Sequence, residues 1–350
     1  MTVNADTLRQ LPDLGGPAEP LLKVRGLTRH FAVKGGLFGR GRGAVRAVDN
    51  VSFDIHKGET LGLVGESGCG KSTLSRLVMV LMQPNAGEIV FDGQAIGPGG
   101  WSAREYRRQV QLVFQDSYSS LNPRLTIEEV IAFAPQVHGM SKREAVARAH
   151  ELLGSVGLNA GQFARRYAHE LSGGQRQRVN IARALALRPR LVILVEPVSA
   201  LDKSVQAQVL NLLMDLKDQF GLSYLFVSHD LSVVQYMVDR VMVMYLGRVA
   251  EIGPVEQIYA APAHPYTQAL LASRPTLHPK QRRTAPPLTG DPPNPINPPS
   301  GCRFHTRCAF AEPVCAERVP ALSGIGAQHR AACLMAQPGS GHRAAPGLAP

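Results

Sequence analysis

The stretch GESGCGKST, residues 65–73, decides the fold. It fits the pattern Gly-x-x-x-x-Gly-Lys-Ser/Thr. The apolar segment TLGLVG before it has the length of a β-strand, and STLSRLVMVLM after it carries apolar residues at helical intervals. A strand, a glycine-rich loop and a helix in this order begin an α/β unit whose loop binds phosphate groups. The sequence therefore predicts a nucleotide-binding domain.

The residues of this phosphate loop have separate expected roles. Gly65, Gly68 and Gly70 let backbone N–H groups curve around the phosphates. Lys71 is expected to reach the β- and γ-phosphates, and the Ser72 hydroxyl is expected to ligate Mg²⁺. The other loop residues are expected to line the nucleotide: Glu66, Ser67, Cys69 and Thr73. Cys69 is interpreted as a bystander in the loop and not as a nucleophile.

The rest of the chain extends this α/β unit. LLKVRGLTRHFAV and AVDNVSFDIHKGE predict two strands. RLVILVEP and SYLFVSHD are apolar throughout their strand-length cores, which is typical of parallel strands buried on both faces, and a helical stretch over 204–219 separates them. SKREAVARAHELLGSVG opens on a serine cap and closes on glycine, which predicts one helix of a helical insert. We expect an open α/β sheet with that insert.

The domain boundaries follow from changes in composition. The expected segments are a disordered lead at 1–21, the nucleotide-binding domain at 22–262 with a helical subdomain at about 115–185, a proline-rich linker at 263–301, a cysteine-containing tail at 302–335 and a disordered end at 336–350. The linker contains TAPPLTGDPPNPINPPSG, which has too much proline for a helix or a sheet. The glycine-rich basic run at 34–46 is expected to be a solvated loop.

Bulk composition limits the function without choosing it. The chain has 350 residues, 44% of them apolar, and a net charge of +11. This charge attracts nucleic acid, anionic lipid and nucleotide phosphates alike. No apolar run approaches the roughly 20 residues that cross a bilayer, and the N-terminus lacks the build of a signal peptide, so we expect the chain to stay in the cytosol.

A second motif, LSGGQ at 171–175, gives the protein class. It opens a predicted helix, and small residues at a helix N-terminus expose N–H groups to a phosphate. With the phosphate loop, it resembles the ATP-binding cassette (ABC) ATPases. The resemblance implies the α/β fold of P-loop NTPases, and it implies that two cassettes hold two ATP molecules between them. The residues implied to bind the γ-phosphate on a partner's loop are Ser172, Gly173, Gly174 and Gln175.

Further roles are carried over from the ABC family onto matching positions. Gln115 in LVFQDS matches the glutamine that senses Mg²⁺ and water, and Glu196 matches the catalytic base. Asp202 in SALD matches the aspartate of the family's D-loop, and His229 in FVSHD matches its switch histidine. Phe31 is the aromatic residue expected to stack on adenine.

One position departs from the family pattern. Members usually carry aspartate directly before the catalytic glutamate, where it holds Mg²⁺, but this chain has Val195 in LVILVEPVSALD, residues 191–202. Valine extends a buried strand without strain but offers no oxygen to a metal. ATP binding should therefore survive better than hydrolysis at the site built on this chain's own phosphate loop.

Within the ABC family, three stretches are similar to the ATPases of prokaryotic peptide importers, the subgroup for dipeptide, oligopeptide and nickel uptake. They are DSYSSLNPRLT, AHPYTQALLAS and INPPSGCRFHTRC. The resemblance implies peripheral binding to the cytoplasmic face of the inner membrane, two membrane permease subunits, a second ATPase subunit that is non-identical, and indirectly a solute-binding protein. Two alternatives remain open: a soluble ABC ATPase that acts on nucleic acid or ribosomes, and a regulatory cassette that binds ATP without hydrolysing it.

Four of the five cysteines lie in the tail: Cys302, Cys308, Cys315 and Cys333. Thiolates in a reducing compartment are soft ligands for zinc or an iron–sulfur cluster, and four are the full complement for either. Some members of the peptide-importer subgroup carry a [4Fe–4S] cluster on a matching tail. A cluster, a zinc ion and four reduced cysteines are the three interpretations, and the cluster is favoured.

Overall fold

The computed structural model describes residues 13–16, 18–33, 43–116, 118–274 and 290–346. The strands are β1 (Leu22–Ala32), β2 (Ala44–Ile55), β3 (Thr60–Val64), β4 (Ala86–Phe91), β5 (Gln94–Ala95), β6 (Val110–Val113), β7 (Leu191–Val195), β8 (Ser223–Val227), β9 (Arg240–Tyr245), β10 (Arg248–Pro254), β11 (Ser323–Gly326) and β12 (His329–Ala331). The helices are α1 (Lys71–Val78), α2 (Ala103–Gln109), α3 (Ile127–Val137), α4 (Lys142–Ser155), α5 (Ala160–Phe163), α6 (Gly173–Leu185), α7 (Lys203–Phe220), α8 (Leu231–Met237), α9 (Val255–Ala260), α10 (Pro265–Ala272) and α11 (Pro313–Glu317).

The first compact unit takes its residues from Met1–Leu22, Asp54–Thr60 and Val90–Val227. Its strands β6, β7 and β8 are parallel neighbours, as the apolar strand patterns predict. Leu191, Val192, Ile193 and Leu194 of β7 are all buried, because helices cover both faces of a parallel sheet. Helices α3 to α6 lie between β6 and β7 in sequence, in the stretch expected to form a helical subdomain.

The second unit comprises Lys23–Phe53, Leu61–Ile89 and Ser228–Pro350. Its sheet places β3 parallel to β9, and β10 then pairs antiparallel with β9. The cysteine tail adds β12 and β11 to the same sheet, where Glu251 of β10 lies opposite Ala331 of β12. The order β2-β1-β4 forms another sheet in this unit. Within the described residues, no helix is both long enough and apolar enough to cross a membrane.

The structure departs from two expected boundaries. The expected linker begins with a helix, α10, because His264 accepts the backbone N–H of Tyr266 as its cap and Pro265 occupies the first turn, where proline is tolerated. The helix after the phosphate loop ends at Val78, earlier than its apolar spacing predicts, and Val80 adopts a positive φ of 55°.

Both ends expected to be disordered contain residues with defined contacts. The backbone N–H groups of Leu14 and Gly15 donate to the buried Asp92 carboxylate. Near the other end, Ser340 and His342 are buried, and the Ser340 hydroxyl donates to the carbonyl of Leu334. Parts of the predictions for the disordered lead, the basic loop, the proline-rich linker and the disordered end lie outside the described residues. The segments concerned are 1–12, 34–42, 275–289 and 347–350.

Candidate nucleotide-binding site

The phosphate loop leaves the carboxyl end of β3 in the conformation that its glycines allow. Gly65, Gly68 and Gly70 have φ values of 149°, 78° and 113°, which side chains rarely tolerate. A Cβ atom on Gly65 would lie 2.2 Å from the carbonyl oxygen of Met244, and one on Gly70 would lie 2.1 Å from that of Ala47. Two of the three glycines are therefore also required by the close approach of neighbouring backbone.

Lys71 begins helix α1, and its ammonium group is buried among backbone carbonyls. Its Nζ donates to the oxygens of Gly65 at 2.6 Å and Glu66 at 3.0 Å. Within the described residues it forms no ion pair with a carboxylate, and only 8% of the residue is exposed. A buried cation held by neutral carbonyls favours an anion beside it, which fits the triphosphate of ATP.

The remaining loop residues agree with a binding role for the backbone. Ser67 and Ser72 are exposed, while Cys69 is buried with 4% of its surface exposed. Burial raises the pKa of the Cys69 thiol, which keeps it protonated and unreactive. This agrees with its interpretation as a bystander. The roles of Ser72 and Thr73 toward Mg²⁺ and nucleotide remain predictions.

Two more residues of the predicted site lie in the unit that contains the phosphate loop. The N–H of Ser228 donates to the Leu63 carbonyl at 3.2 Å, which places the exposed His229 at the carboxyl end of β3, where the loop begins. Phe31 lies on β1 with its ring partly exposed, and the Arg29 guanidinium lies 4.9 Å from its centroid. The stacking of Phe31 on adenine remains a prediction.

Glu196, the predicted catalytic base, lies in the first unit, directly after β7. The Gln115 side-chain nitrogen donates to Glu196 Oε2 at 2.8 Å, so two residues predicted separately are in contact. The N–H of Glu196 donates to the Val227 carbonyl at 2.8 Å, and its φ of 46° is unusual for a side chain larger than glycine. Glu196 therefore occupies a sparsely populated backbone conformation directly after β7, as is common at functional sites.

Val195 occupies the last position of β7. It lies opposite Val227 in the parallel ladder and is half-buried. The ladder continues through Val195 without a break, as expected for a β-branched residue. Its side chain supplies no oxygen at the point where the family pattern has a Mg²⁺ ligand.

The LSGGQ motif forms the start of helix α6. Ser172 caps the helix: its hydroxyl accepts the N–H of Gln175 at 3.3 Å, and the Gln175 side chain accepts the N–H of Ser172 at 3.0 Å. Ser172 and Gly173 are exposed, so this end of the 13-residue helix is accessible from solvent. That arrangement can receive a phosphate group.

Gly174 has a requirement that the motif does not reveal. A Cβ atom there would lie 2.5 Å from Cγ1 of Val205 on helix α7, whereas one on Gly173 would meet Leu201 at an ordinary 3.5 Å. The matched D-loop residue, Asp202, caps α7 by accepting the N–H of Val205 at 3.1 Å. Two residues predicted for ATP thus have local structural roles as well.

The structure therefore divides the predicted site between the two units. The phosphate loop, Phe31 and His229 belong to the second unit. Gln115, Glu196, the LSGGQ motif and Asp202 belong to the first. Among the described residues, two that were not predicted form side-chain hydrogen bonds with the phosphate loop: Tyr266 and Arg307. Both lie in stretches singled out as peptide-importer marks, AHPYTQALLAS and INPPSGCRFHTRC, which was the available signal.

The four tail cysteines lie around one small cavity of about 20 Å³ together with His305 and His342. Burial raises the pKa of Cys302 to about 11 and of Cys333 to about 12, which favours protonated thiols, whereas a cluster or zinc binds thiolates. In the described part of the chain, no three His, Cys, Asp or Glu side chains are placed to hold a metal ion. The described residues thus give no support for an iron–sulfur cluster or a zinc ion, and the favoured cofactor stays a prediction.

Comparison with known families gives two matches. A model described as ABC transporter matches residues 48–199, and a model described as the C-terminal region of oligopeptide/dipeptide transporters matches residues 250–315.

Curated relatives extend the similarity over nearly the whole chain. An oligopeptide transport ATP-binding protein, AppF of Bacillus subtilis, is 49% identical over 320 residues, which are 90% of this chain and 97% of that protein. A di/tripeptide transport ATP-binding protein, DppF of Pseudomonas aeruginosa, is 45% identical over 317 residues, again 90% and 97% of the two chains.

Solved structures agree on the fold. CbiO1 of Clostridium perfringens, part of an ABC transporter complex, has a TM-score of 0.60 and 27% identity, covering 69% of this chain and 92% of its own. A dimeric ATP-binding cassette bound to ADP and phosphate has a TM-score of 0.58 and 30% identity, covering 67% and 98%.

Proposed function

The chain belongs to the family of ABC transporter ATP-binding proteins, and we propose that it is the ATP-hydrolysing subunit of a membrane importer of dipeptides or oligopeptides. The observation that carries the proposal is the buried Lys71 ammonium, held by loop carbonyls at the start of α1. The peptide specificity rests on relatives named for oligopeptide and di/tripeptide transport, each matched over 90% of this chain.

The chain's residues divide the work of binding and cleaving ATP. Lys71 and the N–H groups of the phosphate loop bind the phosphates, and the Ser72 hydroxyl and Gln115 would hold Mg²⁺, which neutralises phosphate charge when bound. Glu196 orients and polarises the attacking water, and Gln115, 2.8 Å away, positions its carboxylate. His229 would sense the γ-phosphate.

We further propose that hydrolysis is impaired at the site built on this chain's own loop. Val195 leaves the metal with the Ser72 hydroxyl, Gln115 and phosphate oxygens but without the usual aspartate. Loss of an outer-shell partner of a metal ligand costs about 10- to 100-fold in metal affinity or activity, and we expect loss of a direct ligand to cost at least as much. The companion site, which uses this chain's LSGGQ motif against a partner's loop, would keep the higher rate.

The partner cassette is therefore proposed to be non-identical, because a homodimer would carry valine in both sites. Two permease subunits and, through them, a solute-binding protein complete the proposed assembly, and the chain would lie on the cytoplasmic face of the membrane. Large apolar side chains are exposed on the first unit, where a permease could bind them. They are Phe114, Tyr118, Phe133, Val137 and Tyr167.

Uptake by the reconstituted complex tests the proposed function. The chain, its co-purifying ATPase and the permease are placed in proteoliposomes with labelled di- or oligopeptide and the binding protein. ATP-dependent accumulation of peptide is expected. A complex that hydrolyses ATP yet accumulates no peptide would refute the solute class, and a chain that co-purifies with ribosomes in place of a permease would refute the transport role.

The iron–sulfur cluster stays a separate proposal supported only by the four tail cysteines. Anaerobic purification followed by iron and acid-labile sulfide analysis tests it. Four irons and four sulfides per chain would support the cluster, and anaerobically purified protein that contains neither iron nor acid-labile sulfide would refute it.

A further inference from the structure

Glu66, the second residue of the phosphate loop, is contacted by two side chains from the C-terminal part of the chain. Its backbone N–H donates to the Tyr266 hydroxyl of helix α10 at 2.8 Å. Its carboxylate accepts two hydrogen bonds from the Arg307 guanidinium of the cysteine tail, at 2.8 and 3.1 Å. All three residues belong to the second unit.

The pair between Arg307 and Glu66 has the geometry of a strong charge contact. Both guanidinium nitrogens engage the carboxylate, and the Arg307 side chain is only 6% exposed. The Tyr245 ring centroid lies 6.0 Å from the guanidinium carbon. The hydrogen bonds that Arg307 donates to Glu66 raise the pKa of Arg307, so its charge persists across the physiological range. A partly buried bidentate pair is worth more than an exposed ion pair.

Glu66 connects this pair to the nucleotide-binding lysine. Its carbonyl oxygen accepts a hydrogen bond from Lys71 Nζ at 3.0 Å and another from the Cys69 N–H at 3.2 Å. The residue that Arg307 holds by its side chain therefore orients Lys71 by its backbone. Arg307 is 241 residues from Glu66 in sequence, so the tail acts on the loop from a distant part of the chain.

The charge of Glu66 makes this contact important for binding. Glu66 places a carboxylate at the second position of a loop that is proposed to bind a triphosphate. Without a partner, this carboxylate would repel the phosphates. Arg307 neutralises that charge. Tyr266, with 0% of its surface exposed, fixes the backbone of the same residue.

We propose that Arg307 is a positioning residue for ATP binding, assisted by Tyr266: it neutralises Glu66 and holds the phosphate loop so that Lys71 faces the phosphates. The C-terminal tail would thereby set the ATP affinity of the cassette. This inference rests on the proposed function, in which the loop binds ATP.

The test measures the Kd for MgATP of the full-length chain and the KM and kcat of the assembled complex. Arg307→Ala should raise Kd and KM about 5- to 10-fold, the scale of one partly buried charge pair, and leave kcat within about 2-fold. The Kd and KM of Arg307→Lys should lie between those of the wild type and those of Arg307→Ala. Arg318→Ala is the matched control, because this tail arginine donates to the Ser340 carbonyl and does not contact the phosphate loop; its Kd should equal that of the wild type.

Rescue separates charge neutralisation from simple support of the tail. Glu66→Gln removes the charge that Arg307 balances, so Arg307→Ala/Glu66→Gln should recover a Kd within about 2-fold of the wild type. Tyr266→Phe, which removes only a hydroxyl, gives a second route if Arg307→Ala does not fold, and it should raise Kd about 2- to 5-fold.

The outcomes are separable. Unchanged Kd in Arg307→Ala and Tyr266→Phe, or a loss that Glu66→Gln does not reverse, would overturn the inference. A wild-type chain that binds no ATP would instead refute the proposed function itself.

Discussion

The phosphate loop after β3 and the turn after β7 differ in how completely they keep the family's chemistry. The loop has its three glycines at positive φ and its lysine buried beside them. The turn has Glu196, the proposed catalytic base, in contact with Gln115 but a valine where a metal ligand is usual. Backbone N–H groups and a lysine suffice to bind phosphates, whereas cleavage also needs a correctly held metal. We therefore expect binding and hydrolysis to be separable in this chain.

The largest effect should come from a substitution in the phosphate loop, which keeps the family's residues. Lys71→Ala removes the one buried cation of the loop, and we expect ATP affinity to fall at least about 100-fold. Lys142→Ala, an exposed lysine on the first turn of α4, is the control and should bind ATP normally. Calorimetric titration of both variants checks this. Retained affinity in Lys71→Ala would mean that the loop is not the phosphate site.

The next effect should come from repairing the incomplete region. Val195→Asp restores an oxygen ligand before Glu196, so ATP turnover at the site built on this chain's own loop should rise about 10-fold, and total turnover by the assembled complex about 2-fold. Val195→Asn introduces a side chain with the volume of aspartate but without its charge, so its ATP turnover should rise less. Steady-state phosphate release measures the gain. Equal rates in the wild type and in Val195→Asp would show that this position does not limit hydrolysis.

A smaller effect distinguishes packing from phosphate binding in the LSGGQ motif. In Gly174→Ala the new methyl group would clash with the stiff side chain of Val205, which should cost about 1–3 kcal/mol of unfolding free energy. Gly173→Ala is the matched control, with ordinary contacts and little expected loss. Urea unfolding compares the two. Equal stabilities would show that α6 and α7 accommodate the methyl group.

The smallest effect is the loss of unfolding free energy at acidic pH, which depends on Asp92 and not on the ATP site. Burial opposes ionisation of Asp92, but hydrogen bonds from Arg190 and from the N–H groups of Leu14 and Gly15 outweigh it and hold the pKa of Asp92 below its usual range. The contact between Asp92 and Arg190 stabilises the fold fully at pH values above about 4, the pKa of this aspartate in the unfolded chain. The stabilisation is lost as the pH falls through the lower pKa that Asp92 has in the folded protein.

Unfolding free energies measured between pH 7 and pH 2.5 test this assignment. We expect the wild type to lose stability below about pH 4, and Asp92→Asn to be less stable at neutral pH with a flatter acid profile. Asp215→Asn, on the exposed face of α7, is the control and should follow the wild type. Parallel acid profiles for Asp92→Asn and the wild type would contradict the assignment.

Local pattern predicted the strands that matter for the site. The apolar runs before the phosphate loop and before Glu196 correspond to β3 and β7, and the helical stretch after Asp202 is α7. Capping chemistry identified the start of α4 because Ser141 and Glu144 form a capping box within one turn. These features depend on residues close together in sequence.

The features that sequence could not give depend on distant residues. Arg307 reaches Glu66 across 241 positions, and Arg303 reaches Asp49 across 254. The clash that excludes a side chain at Gly174 arises from Val205 on the next helix. Proline and glycine at the chain ends indicated disorder, yet burial of Ser340 and hydrogen bonds to Asp92 depend on surfaces supplied elsewhere in the fold.

The central claim is that the phosphate loop binds ATP normally while Val195 weakens the hold on Mg²⁺. The most direct measurement is ATP affinity without Mg²⁺, together with the Mg²⁺ concentration for half-maximal hydrolysis at the site built on this chain's own loop, in the wild type and Val195→Asp. We predict equal ATP affinities and a half-maximal Mg²⁺ concentration about 10-fold lower in Val195→Asp. The same Mg²⁺ dependence in both proteins would contradict the account.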